Sequence, residues 1–433
     1  MNSLKLNHIY CGDCVEVMKT FPDNCIDTII TDPPYFLGFM GKSWDTLNKE
    51  KMYEFNYSWA KEALRVAKPG ATLLCFGGTR TFHRLACAIE DAGWIIKDTI
   101  MWIYGSGFPK ATDISRQIDK KAGKEPKKIK RNPNSREKSN KDNTLYQSGT
   151  VGKTDFITEP TTPEAQLWDG WKSHGLKPAY EPIIVAMKEN DGSYAENALK
   201  WGVAGLNIDE ARIKTNENLG RLNKEDTGIF GIGNGANKFY NVPIEHQGRF
   251  PANLILNEEA ARELDRQSGI RKSGSMNGVY RNTIMKGQPG VRNGKEIRLR
   301  QQASIGGASR FFYVAKASRA ERNMGCEELE EKIGGGMAGT ADKTLKTGSG
   351  NERNNRMKNN HPTVKPLSLI KYLCVLTKTP TGGIVLDPFA GSGTTGMACV
   401  EVGRPYILIE KEADYVKIAK ARIKATVYQP KIL

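Results

Sequence analysis

Ile26-Asp27-Thr28-Ile29-Ile30-Thr31-Asp32-Pro33-Pro34-Tyr35 lies near the start of the chain, and Gly383-Ile384-Val385-Leu386-Asp387-Pro388-Phe389-Ala390-Gly391-Ser392-Gly393-Thr394-Thr395-Gly396 near its end. Each is a short apolar run that breaks into a loop of prolines or glycines. Short runs of this kind, alternating with helical patterns, predict strands buried on both faces of a parallel sheet. The loops that follow such strands emerge at the carboxyl edge, where open α/β sheets bind ligands. These two stretches therefore read as two mouths of one sheet.

The same rhythm continues outward from both. Residues 8–10 read as a strand, 14–20 as a helix, 59–67 as a helix stopped by Lys68-Pro69-Gly70, 71–77 as a strand, 82–92 as a helix and 94–104 as a strand. Residues 180–187 return to strand. Residues 366–376 read as a helix with Pro366 in its first turn, and 383–386, 393–402, 406–410 and 413–427 as strand, helix, strand and helix. The fold class is α/β, with a doubly wound, mostly parallel sheet. Between these blocks, residues 250–256 and 311–317 are firm elements, while 269–307 and 334–360 are glycine-rich and read as long loops.

The chain has 433 residues and a net charge of +16, with hydrophobic residues at 39%. No run approaches the roughly 18 apolar residues of a membrane span, and the N-terminus carries no apolar signal region, so the expected location is the cytoplasm. Residues 110–142 hold 12 Lys/Arg against 5 Asp/Glu, and residues 266–300 hold 9 against 1. These two stretches carry 15 of the 16 excess positive charges. A basic run is usually a solvated face; two internal runs holding nearly the whole excess predict arms for a polyanion such as nucleic acid. The eight cysteines are dispersed. Cys11-Gly12-Asp13-Cys14 has no second pair or neighbouring histidines to complete a zinc site, so reduced structural thiols and no metal are expected.

Gly391-Ser392-Gly393-Thr394-Thr395-Gly396 matches G-x-G-x-x-G between a strand and a helix, with Glu410 at the end of the next strand. Glycines let the backbone approach a nucleotide-like ligand, and the acid can accept both ribose hydroxyls. Asp387-Pro388-Phe389 puts a carboxylate where a pyrophosphate would be repelled. It suits the sulfonium and ammonium groups of S-adenosylmethionine instead. At the other mouth, Pro33 and Pro34 stiffen the loop. Asp32 and the Pro33 carbonyl can accept hydrogen bonds from one exocyclic amino group, and Tyr35 offers a ring face, with Phe36 or Trp44 completing a sandwich. A base would have to leave its stack to enter. No covalent nucleophile is required, so catalysis rests on positioning and electrostatics.

On these residues the chain resembles the amino-methyltransferases of DNA, the N6-adenine and N4-cytosine enzymes, in the subgroup whose D-P-P-Y motif precedes the glycine motif. Asp13 in Tyr10-Cys11-Gly12-Asp13-Cys14 resembles the acid that meets the cofactor adenine. His361-Pro362-Thr363-Val364-Lys365-Pro366 resembles the family's H-P-T-x-K-P segment beside the methionine part of the cofactor. Residues 175–182 and 310–316 are similar to segments of phage and bacterial members. The resemblance implies a Rossmann-like, S-adenosylmethionine-dependent methyltransferase fold acting on double-stranded DNA, and leaves room for a companion restriction endonuclease. It implies catalytic Asp32, Pro33, Pro34 and Tyr35. It implies cofactor contacts from Asp13, Asp32, Thr363, Lys365, Pro366, Asp387, Pro388, Phe389, Ala390, Gly391, Ser392, Gly393, Thr394 and Glu410.

The expected division is 1–107 with 165–190 as the catalytic half, 108–164 as a basic flexible insertion, 191–358 as the target-recognition region and 359–433 as the cofactor half. Lys365 opposes the dipole at a helix start, which predicts contact with a cofactor carboxylate or a local acid. Thr363 could cap that helix, and His361 is expected to brace the turn. Asp at position 32 favours N6 of adenine, with N4 of cytosine as the alternative. An RNA or protein amide methyltransferase and a nucleic-acid binder with a dead site are the more distant rivals.

Overall fold

A computed structural model describes residues 4–37, 49–105, 107, 111–131, 156–215, 248–272, 276–281, 296–301, 305–316, 319–333 and 356–427. Trp44, the centre of the expected insertion and much of the two glycine-rich stretches lie outside the described residues.

Nine strands form the central sheet: β1 (His8–Cys11), β2 (Ile26–Thr31), β3 (Ala67–Phe76), β4 (Ile95–Ile103), β5 (Tyr180–Met187), β6 (Leu254–Asn257), β7 (Tyr313–Ala315), β8 (Val385–Asp387) and β9 (Tyr406–Glu410). Their spatial order is β1-β9-β8-β2-β3-β5-β4-β6-β7. Every neighbouring pair is parallel except those made by β5, which runs antiparallel between β3 and β4. The chain winds from β2 through β3 in one direction and from β8 through β9 in the other. The order thus reverses between β8 and β2, and such a switch point is where open α/β sheets leave a crevice for ligands.

Both faces of the sheet are covered. On one, Ile30, Leu74, Phe76, Ile183 and Leu408 pack under α4 (Leu367–Leu376), α5 (Thr394–Val402) and α6 (Ala413–Lys424). On the other, Ile29, Leu73, Cys75, Ile184 and Ile407 pack under α1 (Cys14–Lys19), α2 (Lys49–Val66) and α3 (Phe82–Asp91). Successive strand residues point to opposite faces. Burial on both faces therefore produces the uninterrupted apolar runs seen in the sequence. Each fully buried aliphatic side chain contributes about 1.5–3 kcal/mol. Among the described residues no helix is long and apolar enough to cross a membrane.

Two expectations are corrected. The second helix begins at Lys49, ten residues before the expected start, because Met52, Phe55, Trp59, Ala63 and Val66 share one stripe that its charged neighbours obscured. Lys68-Pro69-Gly70 does not separate that helix from the next strand; it lies inside β3, at a register shift where proline is tolerated. Within residues 191–358, β6 pairs with β4 and β7 pairs with β6, extending the central sheet. The basic stretch after β4 holds a helix (Ile114–Lys121) and a hairpin (Lys127–Arg131 with Phe156–Glu159).

Candidate active site

The neighbouring strands β2 and β8 bring the two loops together, although Thr31 and Asp387 are 356 positions apart. One cavity of about 460 Å³ opens between them at the carboxyl edge. Asp13, all of 31–37, Thr363, Lys365, 387–392, Thr394, Thr395 and Glu410 line it. Phe36, Phe55, Phe389 and Ile370 supply an apolar wall. Phe55 meets the rings of Phe36 and Phe389 with centroids 5.4 and 5.7 Å away. Five carboxylates (Asp13, Asp32, Asp387, Glu410 and Glu412) face two ammonium groups (Lys365 and Lys411).

The glycine loop is held by hydrogen bonds that link its backbone and hydroxyl groups with Glu410 and Arg422, and by what packs behind it. Gly391 and Gly393 have φ of +50° and +78°. A Cβ on Gly391 would lie 2.7 Å from His361 Nε2, and one on Gly393 would lie 2.7 Å from the Ala419 Cβ. Gly391 and Glu412 donate their N–H groups to the two oxygens of Glu410, each at 2.8 Å. Burial nevertheless pushes the Glu410 carboxyl up to about 7. Beneath the loop, Arg422 of α6 is completely buried. It donates to the Ser392 carbonyl at 2.7 Å, Ser392 Oγ at 2.9 Å, Thr394 Oγ1 at 3.1 Å and the Glu321 carbonyl at 3.0 Å.

Asp387 lines the cavity, and its carboxylate already accepts three hydrogen bonds: Thr31 and Phe389 N–H donate to Oδ1 at 2.9 and 3.0 Å, and Thr395 donates to Oδ2 at 2.6 Å. Burial pushes its carboxyl up to about 6 in spite of these donors. Its evident work is to fasten β2, β8 and α5 to one another. Pro366 and Gly393 are absent from the cavity wall among the described residues. Pro366 takes the N-cap position of α4, so Thr363 does not cap that helix, and Gly393 takes the N-cap of α5. Asp13 caps α1 through Oδ1, accepting from Val15 and Glu16.

At the other mouth charge dominates. Tyr35 Oη lies 2.8 Å from Asp32 Oδ1 and 3.1 Å from Glu181 Oε2. Lys365 donates to Asp32 Oδ2 at 2.6 Å and to Tyr35 Oη at 3.3 Å, and lies 3.3 Å from Glu181 Oε2. Burial opposes the lysine charge, but Asp32 and Glu181 outweigh it and raise Lys365 above the ordinary lysine range. Burial, followed by the same two carboxylates, raises Tyr35 well above its ordinary value. The Tyr35 ring lines the cavity and is packed on by its neighbours. It packs on Gly78, where a Cβ would come within 3.1 Å, and the Lys365 ammonium lies 5.4 Å over it. Phe36 turns the chain away with φ of +53°, a strained value for an aromatic residue.

His361 braces the turn as expected, its Nδ1 lying 3.0 Å from the Thr363 carbonyl. Burial lowers its imidazole to about 4, so it is neutral, and the carbonyl fixes the proton on Nδ1. Two residues of the site escaped the sequence reading. Glu181 reaches the carboxyl edge because β5 is antiparallel, and nothing in Tyr-Glu-Pro announces that direction. Arg422 reads as one more cation on a C-terminal helix.

Comparison with known proteins adds a family. The family described as DNA methylase, covering N6 and N4 methyltransferases, matches residues 26–421. The type II methyltransferase M.HpaI of Haemophilus parainfluenzae is 35% identical over 113 residues, 26% of this chain and 36% of that protein. The DNA adenine methyltransferase YhdJ of Escherichia coli (strain K12) is 47% identical over 64 residues, 15% of this chain and 21% of that protein. The chain spans about a third of the length of the first curated relatives it matches. Among solved structures, the cytosine-N4-specific PvuII DNA methyltransferase is 12% identical with a TM-score of 0.41, covering 98% of this chain and 87% of that one.

Proposed function

This chain belongs to the N6/N4 DNA methylase family, and on that premise we propose that it transfers a methyl group from S-adenosylmethionine to the exocyclic amine of a base in double-stranded DNA. The observation that carries the reading is one cavity lined by both Asp32-Pro33-Pro34-Tyr35 and the loop from Asp387 to Ser392. Its donor set fits the cofactor. Five carboxylates against two ammonium groups repel a polyphosphate and favour a cationic sulfonium nucleoside. The apolar wall beside Phe389 suits an adenine ring, and Glu410 and Asp13 suit a ribose and the adenine edge. Lining residues Thr363, Pro388, Ala390, Gly391, Ser392 and Thr394 would complete the holding set. Pro366 and Gly393 would act from behind it, as helix caps.

When bound, S-adenosylmethionine supplies an electrophilic methyl group: the amine lone pair forms the N–C bond, the C–S pair returns to sulfur, and the amine proton is released. The protein's own part is positional. Asp32 and the Pro33 carbonyl accept the amine hydrogens and aim the lone pair, and Asp32 lies where it can take the departing proton. The base is proposed to be adenine, supported by Asp rather than a neutral residue at position 32 and by the adenine specificity named for YhdJ. The family also contains N4-cytosine enzymes. The basic stretches 108–164 and 266–300 are proposed to meet phosphates, and what remains of 191–358 outside the sheet to read the target. A restriction endonuclease is a proposed companion, in line with the type II relatives.

Purified protein with methyl-labelled cofactor and unmethylated duplex DNA tests this reading by nucleoside analysis. N6-methyladenine is the expected product. N4-methylcytosine would keep the enzyme and change the base, and label on RNA or protein alone would overturn the DNA substrate.

A further inference from the structure

Resting on the methyl-transfer reading, we infer that Glu181 is a positioning residue that holds the Lys365 ammonium while Asp32 is engaged with the target amine. An ammonium has three N–H donors, and Lys365 has three acceptors within 3.3 Å: Asp32 Oδ2, Tyr35 Oη and Glu181 Oε2. In this arrangement it covers both features that a flipped base needs. It takes Asp32 Oδ2, the carboxylate oxygen that Tyr35 leaves free, and it lies over the Tyr35 ring. The target amine and Lys365 therefore compete for one place.

Lys365 is only 10% exposed, so leaving Asp32 without a second anion would strand a buried charge, which is strongly unfavourable. Glu181 removes that obstacle. Its Oε2 already lies 3.3 Å from the ammonium, and it shares the Tyr35 hydroxyl with Asp32. A small displacement exchanges one carboxylate for the other.

The charge count also favours the reaction. Two carboxylates and one ammonium leave the cluster with one net negative charge. As the nitrogen lone pair forms the new N–C bond, positive charge grows on the amine, and the bonding pair of the old C–S bond stays with sulfur. The amine proton then passes to the Asp32 carboxylate and on to solvent, with Lys365 held at Glu181. Without Glu181 the lysine would stay on Asp32, and the acceptor would be neutralised when it is needed.

The test is steady-state kinetics of the full chain on duplex DNA for the wild type, Glu181→Gln, Glu181→Asp, Lys365→Met and the Glu181→Gln/Lys365→Met pair. Glu181→Gln is expected to lower kcat about tenfold to a hundredfold, with the cofactor KM within about twofold, and Glu181→Asp to recover part of the loss. In the Lys365→Met background the same Glu181→Gln change should cost less than about threefold, because the residue it serves is gone. An equal loss in both backgrounds would overturn the inference and place Glu181 directly on the base. Full kcat in Glu181→Gln would overturn it as well. A wild type that transfers no methyl group to DNA would overturn the underlying reading and the inference with it.

Discussion

The loops 32–35 and 387–394 leave neighbouring parallel strands at one edge, yet they are secured by different forces. The glycine loop is fastened through its backbone and hydroxyl groups, by the Glu410 carboxyl and the buried Arg422 guanidinium, with Gly391 and Gly393 wedged against His361 and Ala419. The Asp32 loop is stiffened by two prolines, but its side chains are tied in an ionic cluster with Lys365 and Glu181. In the proposed exchange the ammonium between two carboxylates passes from one to the other, while the glycine loop keeps its backbone partners.

The largest effect should come from breaking the exchanging side. Asp32→Ala removes the amine acceptor and is expected to lower kcat by about 10³-fold or more, while filter binding of DNA stays within about threefold. Near-normal turnover would remove Asp32 from the chemistry. Breaking the still side should act through binding. Arg422→Met leaves the Ser392 and Glu321 carbonyls short of a donor. It should cost about 3 kcal/mol in urea unfolding and weaken cofactor binding about tenfold in calorimetry, with kcat at saturating cofactor much less affected. A pure kcat loss at unchanged affinity would contradict the distinction between the loops.

A gentler probe is pH. Burial raises Glu410 to about 7, and the ribose hydroxyls proposed to meet it donate more strongly to its ionised form, which alone can accept from both through two carboxylate oxygens. Cofactor binding should therefore be strongest above pH 7 and weaken about tenfold between pH 8 and pH 6. Glu410→Gln should flatten that step; a step that survives the change would place the titration elsewhere, with Asp387, raised to about 6, the next candidate. The smallest effect at physiological salt belongs outside both loops. Lys127, Lys128 and Lys130 are exposed on the hairpin that follows β4. Replacing them and Arg131 by Ala should weaken binding to every DNA sequence alike and reduce the slope of log affinity against log salt by about 3. An unchanged slope would show that this hairpin does not touch phosphate.

Much of this contrast was legible in the sequence. β2, β3, β8 and β9 announce themselves because both of their faces are buried, and the loops after them follow from that. Asp32, Tyr35 and Glu410 could be picked out because their chemistry sits directly after a strand. Glu181 could not, since its value depends on β5 running against its neighbours, a topological fact that a strand's own residues do not carry. Arg422 could not, because full burial of an arginine on a helix with other cations is decided by tertiary packing. β6 and β7 read as firm elements, but their place in the central sheet is not legible. Four- and three-residue strands have no periodicity to reveal their partners.

The central claim, that the two loops form one site for methyl transfer to a DNA amine, is tested most directly by single-molecule sequencing of DNA from a methylation-free bacterial host expressing the protein. N6-methyladenine at one short motif is the expected result. Unmodified DNA, from soluble protein that still binds S-adenosylmethionine, would contradict it.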